Sequence, residues 1–195
     1  MAKRQKTNNP RPGRLRIVAG KWRSRLLDIT DVPGLRPTSE RIRETLFNWL
    51  EPRINGARCL DLFAGTGALG LEALSRGARR VIFVEKSARA VGTLNANIAT
   101  LGAAGAVVRH MDALDYLRGE QDERFDLVFL DPPFAADMIN ALCRLLAERE
   151  LLAEDACVYI EQGRSRADPG LPAGWEVLKN KTAGNVRYML VRQSR

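Results

Sequence analysis

The 195-residue sequence predicts an α/β fold: a mostly parallel sheet covered by helices on both faces, with an antiparallel hairpin closing one edge. Three observations carry this prediction. Short apolar runs at 58–63, 80–85, 106–111, 126–130 and 156–161 alternate with helical stretches at 68–76, 87–101, 113–118 and 137–150. Strands that alternate with helices in this way form a parallel sheet buried on both sides. A glycine-rich loop follows the first run directly. A segment of different composition precedes the alternation and holds the chain's surplus of positive charge.

Along the chain, residues 1–13 are polar, basic and proline-containing, and are expected to form a disordered tail. Residues 14–29 carry Leu15, Ile17, Val18, Trp22, Leu26, Leu27 and Ile29 in short runs. These predict a small β-hairpin turning around Gly20 and Lys21 and bearing Arg14, Arg16, Arg23 and Arg25. Pro37, Thr38, Ser39 and Glu40 read as a helix start, with a hydroxyl cap before an acidic first turn. Ile42, Leu46, Trp49 and Leu50 then recur at helical spacing, and the helix is expected to end near Pro52. We therefore divide the chain into a tail (1–13), an N-terminal hairpin and helix (14–52) and a main domain (53–195). In the last helix of the main domain, Met138, Leu142, Leu145 and Leu146 share one face. Residues 175–191 have strand-like ends around Ala183, Gly184 and Asn185, the pattern of an antiparallel hairpin.

Composition excludes several classes. Apolar residues make up 45% and charged residues 28%, as in an ordinary globular chain. No stretch approaches the roughly 20 apolar residues of a membrane helix, and the basic N-terminus lacks the apolar core of a secretory signal. Cys59, Cys143 and Cys157 lie far apart, and His110 is the single histidine. A disulfide framework or a zinc site is therefore not expected, and neither is any other metal; a reducing cytoplasm is the expected compartment. The net charge of +8 is uneven. Residues 1–43 hold 12 Lys and Arg against 3 acids, whereas residues 44–195 hold 19 basic and 20 acidic side chains. Clustered cations of this kind suit a polyanion such as nucleic acid.

The strongest local motif is Asp61-Leu-Phe-Ala-Gly65-Thr66-Gly67-Ala-Leu-Gly70. It satisfies the GxGxxG pattern, and Glu85 ends the second strand 20 residues after Gly65. Read literally, this is a dinucleotide fingerprint, and a nicotinamide-dependent oxidoreductase is one reading. Asp61 argues against it, because an acid beside the loop would repel two phosphates. S-adenosylmethionine (SAM) instead brings a sulfonium and an ammonium, which an acid attracts. Glu85 is then placed for the two ribose hydroxyls. Asp112 could accept from the adenine amine with Met111 against the ring, or cap the next helix, or do both. An acid ends or follows each of the first three strands, at the edge where open α/β sheets bind ligands.

The second motif is Asp131-Pro132-Pro133-Phe134, directly after an apolar strand. Two prolines stiffen the turn and remove backbone donors. Asp131 and the Pro132 carbonyl could accept the two hydrogens of an exocyclic base amine, and Phe134 could stack on the base. An amine of that kind is a poor nucleophile, because its lone pair is delocalised into the ring.

Together, Asp61–Gly70, Glu85 and Asp131–Phe134 resemble an amino-methylating, class I SAM-dependent methyltransferase. The segments Arg16-Ile-Val-Ala-Gly-Lys-Trp and Leu35-Arg-Pro-Thr-Ser-Glu-Arg-Ile-Arg-Glu-Thr-Leu-Phe-Asn-Trp-Leu50 narrow this to the RsmD family of 16S rRNA (guanine-N2)-methyltransferases, with the resemblance densest over 15–134. It implies a Rossmann-like seven-stranded sheet and SAM as cofactor. It also implies SAM contacts from Asp61, Phe63, Gly65, Thr66, Gly67, Glu85, Lys86, Met111 and Asp112, and catalysis by Asp131, Pro132, Pro133 and Phe134. Arg14, Arg16, Lys21, Arg23, Arg25 and the Arg36-Pro37-Thr38 segment would face RNA, the partner being 16S rRNA within the 30S subunit and the protein a monomer. Ser24 departs from the pattern, standing where a glycine is expected after Trp-Arg. The Asp-Pro-Pro-Phe motif is shared with DNA adenine methyltransferases, so adenine N6 is an alternative target. A non-catalytic RNA-binding assembly factor is a further one.

Overall fold

A computed structural model describes residues 13–29, 38–133 and 138–193. Two short strands, β1 (Arg14–Arg16) and β2 (Leu26–Asp28), pair antiparallel with Leu15 opposite Leu27. Residues 17–25 join them as a loop rather than the predicted tight turn at Gly20 and Lys21. The reason lies in the hydrogen bonds: the amides of Val18, Ala19, Lys21 and Trp22 are spent on residues of a helix in the main domain, not across the hairpin. Helix α1 (Glu40–Ile54) starts where predicted, with Ser39 Oγ accepting the Ile42 amide. It then runs past Pro52 to Ile54. A proline in the last turn removes one backbone donor, and burial of Leu50 and Ile54 offsets that, at about 1.5–3 kcal/mol each.

The alternating units follow in the predicted order: β3 (Arg58–Asp61), α2 (Ala68–Ser75), β4 (Arg80–Glu85), α3 (Ala88–Leu101), β5 (Ala106–His110), α4 (Ala113–Arg118), β6 (Phe125–Leu130) and α5 (Ile139–Glu148). The chain ends in β7 (Leu152–Gly163), β8 (Trp175–Ala183) and β9 (Val186–Gln193). β3 stops at Asp61 rather than 63 as the chain turns into the glycine loop. α5 is shorter at both ends than predicted. β7 is far longer, because it pairs with β6 on one side and with β9 on the other.

The sheet order is β5-β4-β3-β6-β7-β9-β8, with β9 antiparallel to both its neighbours and the other pairings parallel. The β8–β9 hairpin turns at Gly184 and Asn185 as predicted. From β3 the chain winds outward to β5, then returns to lay β6 on the other side of β3. Strand order therefore reverses between β3 and β6, and their carboxyl ends flank the crevice where such sheets bind ligands.

Helices α1, α2 and α3 cover one face of the sheet, and α4 and α5 cover the other. The hairpin lies on the first face and shares its core through Leu15, Ile17, Trp22 and Leu27. The hairpin and α1 thus pack into the same apolar cluster as β3, β4 and β6. Trp49 of α1 stacks on Tyr188 of β9 at 5.5 Å. Among the described residues no helix is long and apolar enough to cross a membrane.

Candidate active site

Asp61 ends β3 at the switch point and is almost completely buried. Its Oδ2 accepts the Gly70 amide at 3.0 Å, and its carboxylate also accepts the Phe63 amide. Burial and the charge of Glu85 push its pKa up to about 7. Glu85 closes the adjacent β4. Its Oε2 accepts the Gly65 amide at 2.8 Å and its Oε1 accepts the Ser87 amide at 2.7 Å. The loop is thus suspended between two acids, each holding one glycine by its N–H. Gly67 has φ of 89°, and a Cβ there would come within 2.6 Å of Leu94. Only glycine fits both the backbone and the space. Gly70 lies against β4, where a Cβ would meet the Phe83 ring at 2.2 Å. That is the close helix–strand packing its motif position requires.

The other predicted cofactor residues line the same edge. Thr66 is buried, and its carbonyl accepts from Asn97 Nδ2 at 3.5 Å. Phe63 is half-buried. Asp112 caps α4, its Oδ1 accepting the Leu114 amide at 2.8 Å. Capping occupies one lone pair of a carboxylate that has about four, so it leaves capacity for a ligand. Met111, beside it, is 36% exposed. The Lys86 side chain points to solvent, while its carbonyl lies 3.2 Å from His110 Nε2.

Asp131 follows β6, next to β3, so the second motif meets the first at the switch point. Pro132 is buried and Pro133 exposed; Phe134 lies outside the described residues. Two residues complete this side, Glu161, which was not anticipated, and Thr38, which was expected only to face RNA. Glu161 in β7 is 4% exposed and accepts from the Tyr159 hydroxyl at 2.8 Å. Thr38, ahead of α1, donates to Asp131 Oδ2 at 3.0 Å and also hydrogen-bonds Glu161. Burial, the Glu161 charge and Asp61 hold Asp131 well above the usual carboxylate range, against the pull of Thr38. Burial also raises Glu161. Three acids thus converge, held by amides and hydroxyls rather than by cations. Glu161 was legible by the rule that picked out Asp61 and Asp131, an acid at a strand's carboxyl end. A cleft of about 170 Å³ opens beside them, lined by Pro132, Pro133, Ile139, Asn140, Glu161 and Arg166 among others.

The N-terminal hairpin is fastened to this framework by a further buried acid. Glu72 of α2 accepts the Val18 and Ala19 amides at 2.8 and 3.0 Å, Arg43 Nη1 at 3.2 Å and Arg76 Nε at 2.8 Å. Arg43 Nη2 donates to the Arg16 carbonyl at 2.8 Å. Gly20 passes so close to α2 that a Cβ would lie 1.9 Å from the Ser75 carbonyl. This placement divides the cations expected to face RNA. Arg16 Nε lies 3.8 Å from Glu40, at the end of α1 that carries Thr38 to Asp131. Arg14 is exposed at the start of the same strand, and forms no ion pair among the described residues. Lys21 and Arg25 sit elsewhere: the Lys21 amide donates to Ser75, and the Arg25 guanidinium to Thr100, at the C-terminal ends of α2 and α3. Those ends point to the amino edge of the sheet, opposite the acids. Arg23 is exposed within the same loop, and Arg36 lies outside the described residues.

An acid-lined glycine loop fits a cationic nucleoside cofactor: Asp61 can face positive charge, and Glu85 and Asp112 each keep lone pairs for hydroxyl or amine donors. Known proteins agree with this reading. A family model described as conserved hypothetical protein 95 matches residues 15–192. Ribosomal RNA small subunit methyltransferase D of Escherichia coli is 42% identical over 97% of this chain and 95% of its own. The protein of the same name from Haemophilus influenzae is 43% identical over 91% and 93%. A solved methyltransferase structure from Escherichia coli superposes with a TM-score of 0.87 at 40% identity, over 93% of this chain and 99% of that one. On this near full-length likeness in sequence and fold, the chain belongs to the RsmD family and is a class I SAM-dependent methyltransferase.

Proposed function

We propose that the protein methylates the exocyclic N2 amine of a guanine in small-subunit (16S) rRNA, within an assembled or assembling 30S particle in the cytoplasm. The meeting of Asp131 with Asp61 at the switch point carries this reading, since it sets an amine acceptor beside the cofactor loop. The names of the relatives supply the substrate class.

Asp61, Phe63, Gly65, Thr66, Gly67, Glu85, Lys86, Met111 and Asp112 hold SAM. When bound, SAM supplies an electrophilic methyl on a sulfonium that leaves as a neutral thioether. Asp131 and the Pro132 carbonyl accept the two N2 hydrogens and turn the amine's lone pair toward the methyl. As the N–C bond forms, one N2 proton passes to Asp131 Oδ. A carboxylate whose affinity for protons is raised by burial is a better base for this than one in water. Phe134 stacks on the base. Most of the remaining rate gain comes from alignment in a closed site. Arg14 and Arg16 hold RNA near the reacting edge, Lys21, Arg23 and Arg25 hold it further off, and Arg36 is a further RNA contact.

The test is transfer of labelled methyl from SAM to 30S particles, naked 16S rRNA and DNA, with the product located by digestion and mass analysis. N2-methylguanine in the rRNA supports the proposal. Label only on adenine N6 would mean that the alternative suggested by the shared Asp-Pro-Pro-Phe motif is correct.

A further inference from the structure

Glu161 is a buried acid that methyl transfer by Asp131 leaves without a task. It lines the cleft beside Pro132 and Pro133, so it shares one wall with the amine-accepting turn. It is held from behind by the Tyr159 hydroxyl. The Thr38 hydroxyl reaches both Glu161 and Asp131, yet a hydroxyl has a single proton to donate. Among the described residues, the shared Thr38 proton and the Tyr159 hydroxyl are fewer side-chain donors than two neighbouring carboxylates can accept. A pair of adjacent N–H donors is complementary to two carboxylates joined in this way by one hydroxyl.

We propose that Glu161 is a specificity-determining residue that accepts the N1–H of the target guanine while Asp131 accepts from its N2 amine. This rests on the guanine-N2 reading of the reaction. Guanine presents N1–H and N2–H side by side on its pairing edge. Adenine presents one amine beside the N1 acceptor, which would set a lone pair against Glu161. The Asp-Pro-Pro turn alone accepts either amine; the second acid, brought in by β7, selects guanine. Tyr159 acts as a positioning residue that fixes the Glu161 carboxylate.

The experiment uses the full chain and reconstituted small subunits carrying either guanine or 2-aminopurine at the target position. 2-Aminopurine keeps the N2 amine but has an acceptor at N1. With the wild-type protein, kcat/KM on 2-aminopurine should fall by about 10–100-fold relative to guanine, the usual worth of a paired base contact. Glu161→Gln, which puts a donor where N1–H must sit, should lose a similar factor on guanine while closing the gap on 2-aminopurine. SAM affinity of the variant should stay within about threefold. Equal wild-type rates on the two bases would overturn the proposal without any variant, and so would an equal loss on both in Glu161→Gln, which is what a purely structural role predicts. Failure of the wild type to methylate guanine at all would instead remove the functional reading on which this rests.

Discussion

Glu72 and the trio Asp61, Asp131 and Glu161 are acids of one fold, all buried except the half-buried Asp131, but their surroundings are opposite. Glu72 is fully enclosed and satisfied on every side, by two guanidinium groups and two backbone amides. Two cations neutralise it, and it joins the hairpin, α1 and α2 into one unit. The trio at the carboxyl edge is held by backbone amides and hydroxyls, with no ion pair to a described Lys or Arg. Its members repel one another and hold protons more tightly than carboxylates in water. A buried acid that is neutralised from within is structural. Acids that no described cation neutralises are suited to partners that arrive from outside, which in the proposed function are a cationic cofactor and a base edge.

The sharpest way to break the comparison is to remove one acid from each group. Glu72→Gln strands Arg43 in the core, and unpairing a buried ion typically costs about 3–5 kcal/mol. Thermal unfolding should shift down strongly, and proteolysis should release the hairpin first. Asp131→Asn should do the reverse. Methyl transfer should fall by at least about 100-fold, while the melting temperature holds or rises because repulsion within the trio is relieved. Loss of stability with activity retained would mean the trio is a structural network like that of Glu72.

A third test follows from protons. With Asp61 at about 7 in the free protein, a cationic ligand must draw on its ionised form. SAM affinity should therefore rise with pH, about tenfold between roughly pH 6 and pH 8, and level off above. Asp61→Asn should flatten this profile. For folding the sign is opposite: a carboxyl raised above its unfolded value contributes its stability below the unfolded pKa and loses it as pH rises through about 7. The ligand-free protein should thus lose some stability from about pH 6 to about pH 8 while binding improves.

Smaller effects separate the two ends of the hairpin. Replacing Arg14 and Arg16 should reduce the salt dependence of RNA binding by about 0.7 in log–log slope for each phosphate that the pair neutralises. Replacing Arg23 and Arg25, in the loop at the far edge, should have less effect on turnover. Arg25 also caps the C-terminal end of α3, so its removal should show in stability as well. The mildest change sharpens the clasp: Ser24 adopts φ of 66°, in the left-handed region that favours glycine. Ser24→Gly should stabilise the protein by about 1 kcal/mol, read as a small upward shift in melting temperature.

Much of this was legible in the residues alone, for local reasons. Asp61, Glu85, Asp131 and the glycine loop stand at the ends of apolar runs, so motif and strand position could be read together. The departure at Ser24 was visible for the same reason, and the structure locates it at a left-handed turn. What escaped depended on distant partners. Pro52 looked like a helix end because the burial of Ile54 beyond it is a tertiary fact. Glu161 ends its apolar run like the other acids, but its relevance appears only when β7 lies beside β6 and Thr38, 93 residues before Asp131 in the chain, reaches both acids. The cations of the hairpin read as one basic module, yet the loop's bonds to α2 and α3 send three of the five to the opposite edge.

By itself, the sequence determined the α/β alternation, the family and the acids at the strand ends, because hydrophobic period, strand ends and motif spacing are set within a few residues. Only the tertiary structure decided which buried acid is neutralised and which is left wanting. Charge compensation inside a protein depends on who is near in space, and Val18, Arg43 and Glu72 become neighbours only when hairpin and helices pack on one face of the sheet.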